Sequence, residues 1–181
     1  MNNSIGVDRL FIKAVAFAAE KHRNQRRKDV EASPYINHPI ALVNVLANEG
    51  DVFDASVLSA AVLHDTIEDT ETTAHELEAL FGPRITGIVL EVSDDKSHDK
   101  HVRKQLQIDH APHSSADAKL VKLADKICNL RDLLKSPPAD WSTARKIEYF
   151  DWAGQVAAGL TGAHPKLELI LNELVARKNE F

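Results

Sequence analysis

The stretch Ser59–Thr70 concentrates side chains that could bind a metal ion or move a proton. It overlaps the end of an almost wholly apolar segment, Val57–Leu63, whose composition is typical of a buried helix. The reactive side chains follow directly: His64, Asp65, Glu68 and Asp69. At about 100° of rotation per residue, a continuing helix would place all four on one side. Burying an imidazole and three carboxylates there is unfavourable unless a cation neutralises them, and a divalent metal ion would do so.

A solvent-exposed helix end is the alternative interpretation of the same four side chains. Three acids at the C-terminal end of a helix oppose the helix dipole, which disfavours a purely structural role. We therefore expect a functional site on this stretch.

Two residues from other parts of the chain are candidates to complete such a site. His38 precedes a proline at the predicted start of a helix, so its ring can point into a cleft. Asp125 lies in the middle of an apolar helix, with Asn129 one turn later on the same face. A buried aspartate is unfavourable unless it is paired or binds a metal. A salt bridge from Asp125 to Lys122 or Arg131 is the alternative.

The candidate ligands form a mixed set of nitrogen and oxygen donors: His38, His64, Asp65 and Asp125. Such a set suits a divalent ion such as manganese, iron or zinc. A metal ion there would lower the pKa of a bound water and neutralise charge on a phosphoryl group. Glu68 or Asp69 could then orient or deprotonate that water, or protonate a leaving oxygen. The predicted chemistry is metal-assisted hydrolysis of a phosphoester.

A strongly basic run at residues 22–28 interrupts an otherwise acidic chain, whose formal net charge is −5. The acidic balance argues against non-specific binding of nucleic acid. The run closes the first predicted helix, where cations are favourable because of the helix dipole. The other interpretation is an anion clamp for a phosphorylated small molecule.

Composition and spacing of apolar residues predict an all-α protein, one compact bundle of roughly nine helices in a single domain over residues 1–181. No apolar run approaches the roughly 20 residues that cross a bilayer, so we expect no membrane contact. A secretory signal pattern is missing, and the single cysteine, Cys128, cannot form an internal disulfide. These features favour the cytoplasm.

The helix boundaries follow from apolar periodicity and capping residues. Asp8 is expected to cap the first helix and Thr72 or Thr73 the fourth, where Glu76 completes a capping-box pattern from Thr73. Residues 84–92 are rich in β-branched side chains, but we predict a helix there. The predicted helices cover roughly residues 8–24, 39–49, 53–67, 73–81, 84–92, 98–110, 116–134, 141–160 and 165–178.

The pattern His38, His64-Asp65 and Asp125 resembles the HD phosphohydrolase superfamily. The flanking residues make the chain similar to the hydrolase domain of the bifunctional Rel/SpoT stringent-response enzymes. The matching segments are Arg27-Lys28, Tyr35–Ile40, Leu63–Thr70 and Val121–Arg131. The resemblance extends from about residue 8 to residue 160 in the same order. Within this group the chain is most similar to the small stand-alone alarmone hydrolases, of which the metazoan SpoT homologue is the best-known type.

This resemblance implies an HD-domain fold and a manganese-dependent hydrolase of ppGpp or pppGpp, which releases pyrophosphate and GDP or GTP. The implied ligands of one manganese ion per chain are His38, His64, Asp65 and Asp125, with other divalent ions as alternatives. Glu68 and Asp69 would act on the attacking water. Arg27 and Lys28 match the family's basic pair at the nucleotide, and Asn129 matches its asparagine near the ribose or base.

Three more side chains are candidates for phosphate contacts. Lys100 lies on a charged helix with few apolar residues, and Arg145 and Tyr149 lie four apart on one helix face. A solvated lysine and an Arg–Glu surface pair are the alternative interpretations.

The chain departs from the bifunctional enzymes at three positions of the matching motifs: Asp29, Cys128 and Asp132. These departures leave open another nucleotide that carries a phosphate on its 2′ or 3′ position. Hydrolases of 5′-deoxynucleotide monophosphates or cyclic dinucleotides are a further alternative within the superfamily. A non-catalytic module that senses a nucleotide is the alternative from a different class. The complete set of predicted ligands and acids favours a hydrolase.

Overall fold

The computed structural model describes residues 9–181, and the regular elements in that range are helices. A π-helical turn, Val45–Glu49, prolongs the second helix, and a 3₁₀ turn, Ala111–His113, follows the seventh. In chain order the α-helices are α1 (Arg9–Lys21), α2 (Asn37–Asn44), α3 (Ala55–Leu63), α4 (Thr66–Asp69), α5 (Ala74–Phe81), α6 (Pro83–Val92), α7 (Lys100–His110), α8 (Ala116–Lys135), α9 (Thr143–Gly159) and α10 (Pro165–Ala176). The predicted all-α fold is confirmed.

Helix α3 lies at the centre of the bundle and packs against α1, α2, α6 and α8. Its residues from Ser59 to Leu63 are all buried, as its apolar composition predicts. Each fully buried leucine or valine of such a helix stabilises the fold by roughly 1.5–3 kcal/mol. Helix α8 contacts α2, α3, α6 and α10, so two buried helices that touch each other support the residues of the predicted site.

The third helix ends at Leu63, and the predicted continuation to residue 67 was wrong. His64 and Asp65 form a turn, after which α4 begins at Thr66. Two carbonyl groups in the last turn of α3 form hydrogen bonds with side chains. The ring of His64 bonds to the carbonyl oxygen of Ala61 at 2.8 Å, and the hydroxyl of Thr66 donates to that of Leu63 at 2.7 Å. These bonds replace the backbone hydrogen bonds that a continuing helix would make.

Other boundaries agree with the sequence to within a few residues. Helix α6 forms where β-branched residues left a strand possible. Thr73 caps α5 by accepting from the N–H of Glu76 at 3.1 Å, but the carboxylate of Glu76 binds Lys21 at 3.0 Å and does not complete a capping box. The predicted cap Asp8 lies outside the described residues. Within residues 9–181, no helix is long and apolar enough to cross a membrane.

Helix α7 is the least buried of the longer helices, since none of its residues is fully buried. It rests against α9, where the indole N–H of Trp152 donates to the carbonyl oxygen of Lys104 at 3.0 Å. The ammonium of Lys104 also pairs with Glu148 at 2.9 Å. Helix α7 therefore keeps a defined position beside α9 although it contributes little to the core.

Candidate active site

The four predicted metal ligands meet in one place, although they come from α2, the α3–α4 turn and α8. One donor atom each from His38, His64 and Asp65 lies within 4.8 Å of the others. The Oδ1 atom of Asp125 lies 3.2 Å from Nε2 of His38. Both imidazoles are buried, with 4% and 5% of their surface exposed. The structure thus brings the four candidate ligands together.

The ring of His64 is held in an orientation that suits a metal ligand. Its Nδ1 atom lies 2.8 Å from the carbonyl oxygen of Ala61, which fixes the proton on that nitrogen. Its Nε2 atom is buried and makes no hydrogen bond. Oδ2 of Asp65 lies 2.9 Å from Nε2, but the two are not aligned for a hydrogen bond, so the contact is one of charge. Metal-binding histidines characteristically donate their second N–H to a carbonyl or carboxylate, so the orientation of His64 fits a divalent ion.

The charges of the cluster also favour a cation. Burial by itself would raise the pKa of Asp125, but Lys126 and His38 outweigh it and hold that pKa well below its usual value. For Asp65 the neighbouring His64 and His38 likewise outweigh burial and lower the pKa. Burial lowers the pKa of His64, yet the Asp65 carboxylate raises it to about 9. Both carboxylates are therefore ionised at neutral pH, and a metal ion would replace the proton on His64.

Asp125 is paired differently from either sequence alternative. Its Oδ2 atom lies 3.2 Å from the ammonium of the adjacent Lys126, whereas Arg131 binds Glu49 at 2.7 Å. Lys122 makes no ion pair in the described part of the chain. A salt bridge of Asp125 to Lys122 or Arg131 is therefore wrong. A pairing between adjacent helical residues falls outside the three- and four-residue spacing that sequence reasoning considers.

Glu68 lies beside the ligand cluster on α4 and is partly buried. Its Oε2 atom accepts from the backbone N–H of Asp94 at 3.0 Å, and its Oε1 atom lies 3.6 Å from Nη1 of Arg103. Burial raises the pKa of Glu68 above the usual glutamate value. A carboxyl group with a raised pKa is suited to exchanging a proton near neutral pH.

Asp69 is bound to a network that the sequence did not predict. Its carboxylate pairs with Lys96 and accepts from the hydroxyl of Tyr35 at 3.2 Å. The same hydroxyl lies 2.5 Å from Oδ2 of Asp65. Tyr35 thus links the turn before α2 to two acids of the site. It belongs to the segment Tyr35–Ile40, three residues before His38, but nothing in its spacing indicated this role.

Arg27 and Asn129 connect the metal ligands to the protein surface. The guanidinium of Arg27 donates to Oδ1 of Asn129 at 3.3 Å and to Oδ2 of Asp132 at 2.7 Å. It also lies over the ring of Tyr35, 5.7 Å from the ring centre. The amide of Asn129 donates to Oδ1 of Asp125 at 2.6 Å. A continuous chain of contacts therefore runs from the basic run to the metal ligands.

Two adjoining cavities contain most of the predicted residues. The metal pocket, of about 220 Å³, is lined by Arg27, His38, His64, Asp65, Glu68, Asp69, Asp125, Asn129 and Tyr149, together with residues that the sequence did not indicate. A second cavity of about 310 Å³, which we call the Trp141 cavity, is lined by Arg27, Lys28, Tyr35, Asn129, Trp141 and Tyr149 among others. The shared residues make the two cavities one continuous depression. Its dimensions are in the range of small-molecule sites.

Two predicted phosphate contacts lie outside both cavities. Arg145 stacks on Trp141, with its guanidinium carbon 4.3 Å from the ring centre, and lies 3.9 Å from Asp140. Lys100 is exposed at the start of α7. Partial desolvation of its ammonium and the charges of Arg145 and Lys28 lower its pKa. The charges of Arg145 and Lys28 thus both act on Lys100 at the rim. The alternative Arg–Glu surface pair at Arg145 is replaced by the contact with Asp140.

The family of the chain follows from comparison with known proteins. A family model described as an HD domain matches residues 14–149. The chain belongs to the HD-domain family. The predicted resemblance and the predicted fold class are confirmed.

Relatives within the family are similar over nearly their whole length. A protein of Danio rerio named guanosine-3′,5′-bis(diphosphate) 3′-pyrophosphohydrolase MESH1 is 53% identical over 165 residues, which is 91% of this chain and 92% of the relative. The Homo sapiens protein of the same name is 53% identical over 167 residues, or 92% and 93% of the two chains. A solved structure of a metazoan ortholog of SpoT that hydrolyses ppGpp superposes with a TM-score of 0.93 at 45% identity, covering 97% of this chain and 98% of that one.

Proposed function

We propose that this protein is a manganese-dependent 3′-pyrophosphohydrolase of ppGpp and pppGpp, which releases GDP or GTP together with intact pyrophosphate. The observation that carries the proposal is the metal pocket itself, where buried histidines and ionised carboxylates adjoin Glu68 and open into the Trp141 cavity. The names of the relatives in Danio rerio and Homo sapiens support the choice of substrate.

His38, His64, Asp65 and Asp125 would hold the metal ion. When bound, a divalent ion supplies positive charge that lowers the pKa of a water and offsets the charge of a phosphoryl group. The side chains around it are preorganised, because Ala61 orients His64 and Asn129 orients Asp125. Manganese is the proposed ion because nitrogen and oxygen donors of this kind suit it, although iron and zinc accept the same donors.

Glu68 would accept a proton from the attacking water. Its raised pKa and its fixed position on the N–H of Asp94 suit that role. The water oxygen forms a bond to the phosphorus next to the ribose, and the bond from that phosphorus to the 3′ oxygen breaks. The electron pair stays on the 3′ oxygen, which takes a proton and becomes the ribose hydroxyl. Asp69 would act on the same water together with Glu68, and its carboxylate is held by Tyr35 and Lys96.

The nucleoside would occupy the Trp141 cavity. Arg27 and Asn129 lie where that cavity meets the metal pocket, so they would contact the ribose and its phosphate. Tyr149 lines both cavities, and Trp141 offers an aromatic surface for a base. Lys28, Lys100 and Arg145 at the rim would attract the 5′-diphosphate.

The decisive experiment incubates the purified protein with Mn²⁺ and ppGpp and separates the products by anion-exchange chromatography. We expect GDP and intact pyrophosphate in equal amounts, and no turnover after removal of the metal with EDTA. Restoring excess Mn²⁺ after EDTA treatment is the control for irreversible damage. Cleavage of another phosphorylated nucleotide while ppGpp stays intact would reject the proposal.

A further inference from the structure

Lys122 is a buried lysine to which the mechanism above gives no role. It lies on α8, one turn before Asp125, and only 6% of its surface is exposed. In the described part of the chain its ammonium makes no hydrogen bond and no ion pair, and Glu68, Asp94 and Asp125 influence it only from a longer range. Burial lowers the pKa of Lys122 to about 8. The side chain is mostly buried, but its Nζ atom is not fully buried and borders the cavity space. A largely buried lysine without a partner is unfavourable, so a functional reason for it is expected.

The neighbouring Lys126 provides a contrast on the same helix. It is also buried, but its ammonium lies 3.2 Å from Asp125, donates to Oε1 of Gln107 at 3.0 Å and lies 4.3 Å from the ring centre of Trp152. The partners of Lys126 thus offset the unfavourable burial of its charge. Lys122 lacks such partners, so its ammonium keeps its donors available for a ligand.

Lys122 lies at the junction of the metal pocket with a further cavity. This cavity, of about 540 Å³, is bordered by α7 and we call it the α7 cavity. Asp94, Gln107 and Lys122 line both it and the metal pocket. The α7 cavity shares no lining residue with the Trp141 cavity. The metal pocket therefore has two separate extensions, and the nucleoside accounts for only one.

Arg103 is a second cation at this junction. It lines the α7 cavity, and its Nε atom is buried without a hydrogen-bond partner. Its Nη1 atom lies 3.6 Å from Glu68, which places the guanidinium next to the metal pocket.

Each acid that lines the α7 cavity accepts a hydrogen bond from a neighbouring residue. Glu91 accepts from the N–H of Ser115 at 2.8 Å, and Asp94 accepts from Gln107 at 2.7 Å. Asp95 accepts from the N–H of Ser97 at 2.8 Å. The cations at the junction are Lys122 and Arg103, and together their donors suit an anion with several oxygens.

We propose that Lys122 and Arg103 bind the terminal phosphoryl group of the 3′-diphosphate, and afterwards the released pyrophosphate, where the metal pocket opens into the α7 cavity. The inference rests on the proposed function. With the ribose at Asn129 and the adjacent phosphorus among the metal ligands, the terminal phosphoryl group has to extend away from the Trp141 cavity. Hydrolysis keeps both phosphorus atoms in one product, so pyrophosphate leaves from the same contacts. A lysine and an arginine supply the charge-assisted hydrogen bonds that bind such a group.

The test measures binding of inorganic pyrophosphate by isothermal titration calorimetry to manganese-loaded protein from which free metal has been removed. The variants are Lys122→Met and Arg103→Met, and Lys119→Met on the same helix is the matched control because it lines neither cavity. We expect each variant at the junction to bind pyrophosphate about 10- to 100-fold more weakly, as for the loss of a charged hydrogen bond. Binding of GDP should stay within about twofold, because its site is separate. Lys119→Met should behave as the unchanged protein does.

Thermal stability separates a ligand-binding role of Lys122 from a structural one. Methionine has nearly the length of lysine and no charge, so Lys122→Met should melt at a higher temperature while it binds pyrophosphate less tightly. Lower stability together with equal losses of GDP and pyrophosphate binding would mean that Lys122 is structural, and would overturn the proposal. Arg103 lies on a helix without buried residues, so its variant tests the site even if Lys122→Met misfolds.

Failure of this inference and failure of the proposed function give different results. Turnover of ppGpp by the unchanged protein, with pyrophosphate binding that neither variant weakens, overturns the inference alone. Binding of pyrophosphate that depends on Lys122, without turnover of ppGpp, rejects the proposed function and supports the anion site. Absence of pyrophosphate binding in the unchanged protein overturns the inference directly.

Discussion

The carboxyl groups at the site differ in their pKa shifts because they have different neighbours. Asp65 and Asp125 are kept ionised by neighbouring histidines and a lysine, so they are ready to bind a cation. Glu68 is only a few residues from Asp65 in sequence, but burial raises its pKa. Two carboxylates with opposite pKa shifts in one pocket are a pattern typical of separate ligand and proton-transfer roles.

This division predicts different consequences for two substitutions. Asp125→Ala should lose the metal, because it removes a ligand and leaves His38 without its partner. Glu68→Gln should keep the metal and lower kcat by about 10²–10⁴-fold, as expected for removal of a general base. Metal content by atomic emission and steady-state kinetics measure the two effects.

The control for this pair is Glu71→Gln, an exposed glutamate that lines none of the three cavities. It should retain both metal and rate. Loss of the metal in Glu68→Gln would place Glu68 among the ligands and contradict the assignment.

At the scale of elements, the site depends on where α3 begins and ends. After its end, His64 and Asp65 form a turn in which their side chains lie beside His38 of α2. Its start is capped by Asp54, which accepts from the N–H groups of Ser56 and Val57 at 2.8 and 3.2 Å. Asp54 also binds Arg84 of α6 at 2.9 Å. The central helix is thereby fixed at both ends.

Asp54→Ala should lower the free energy of unfolding by about 1–2 kcal/mol, because it removes an N-cap. Asp54→Asn should lower it less, since asparagine also caps helices, and the difference from aspartate then reports the charge. Urea denaturation of the three proteins measures these effects. Equal stability of all three would contradict the role of the cap.

The pH dependence of that charge effect has a definite sign. Burial would raise the pKa of Asp54, but Arg84 and the capping N–H groups lower it below the usual aspartate value. A carboxylate with a depressed pKa stabilises the fold above the unfolded pKa of about 3.9, and this stabilisation is lost as pH falls through the lower folded value. The difference in the free energy of unfolding between the unchanged protein and Asp54→Asn should therefore be complete at pH 7 and become smaller below about pH 4. A difference that becomes larger on acidification would contradict a lowered pKa of Asp54 in the folded protein.

At the scale of the whole molecule, the metal pocket is an assembly of distant segments. His38, His64 and Asp125 are widely separated in the sequence, and each lies on or beside a helix that contacts α3 or belongs to it. A preformed set of donors exists only in the folded chain, so metal binding should stabilise the fold.

Metal binding at 100 times its dissociation constant should add about 2.7 kcal/mol of stability and raise Tm by roughly 5–10 °C. Differential scanning calorimetry with Mn²⁺ and with EDTA measures the shift. Asp125→Ala should lose most of it, whereas Glu71→Gln should keep it. An equal shift in Asp125→Ala would mean that the ion binds elsewhere.

The helical fold, most helix boundaries and a set of candidate ligands could be predicted from the amino-acid sequence. The helical fold and the helix boundaries follow from local periodicity, because apolar residues recur every three to four positions along one face of a helix. The set of His38, His64, Asp65 and Asp125 was recognisable because buried charges in apolar helices require a partner.

The tertiary structure alone decided the end of α3, the partner of Asp125 and the surroundings of Lys122. Helix α3 stops at Leu63 because side chains of His64 and Thr66 replace its last backbone bonds. Lys126 pairs with Asp125, and Lys122 remains without a partner where two cavities meet. Such contacts depend on side-chain directions and on helices distant in sequence, which local periodicity does not contain. For that reason the clustering of the candidate metal ligands could be predicted from sequence, whereas the proposed anion site beside them could not.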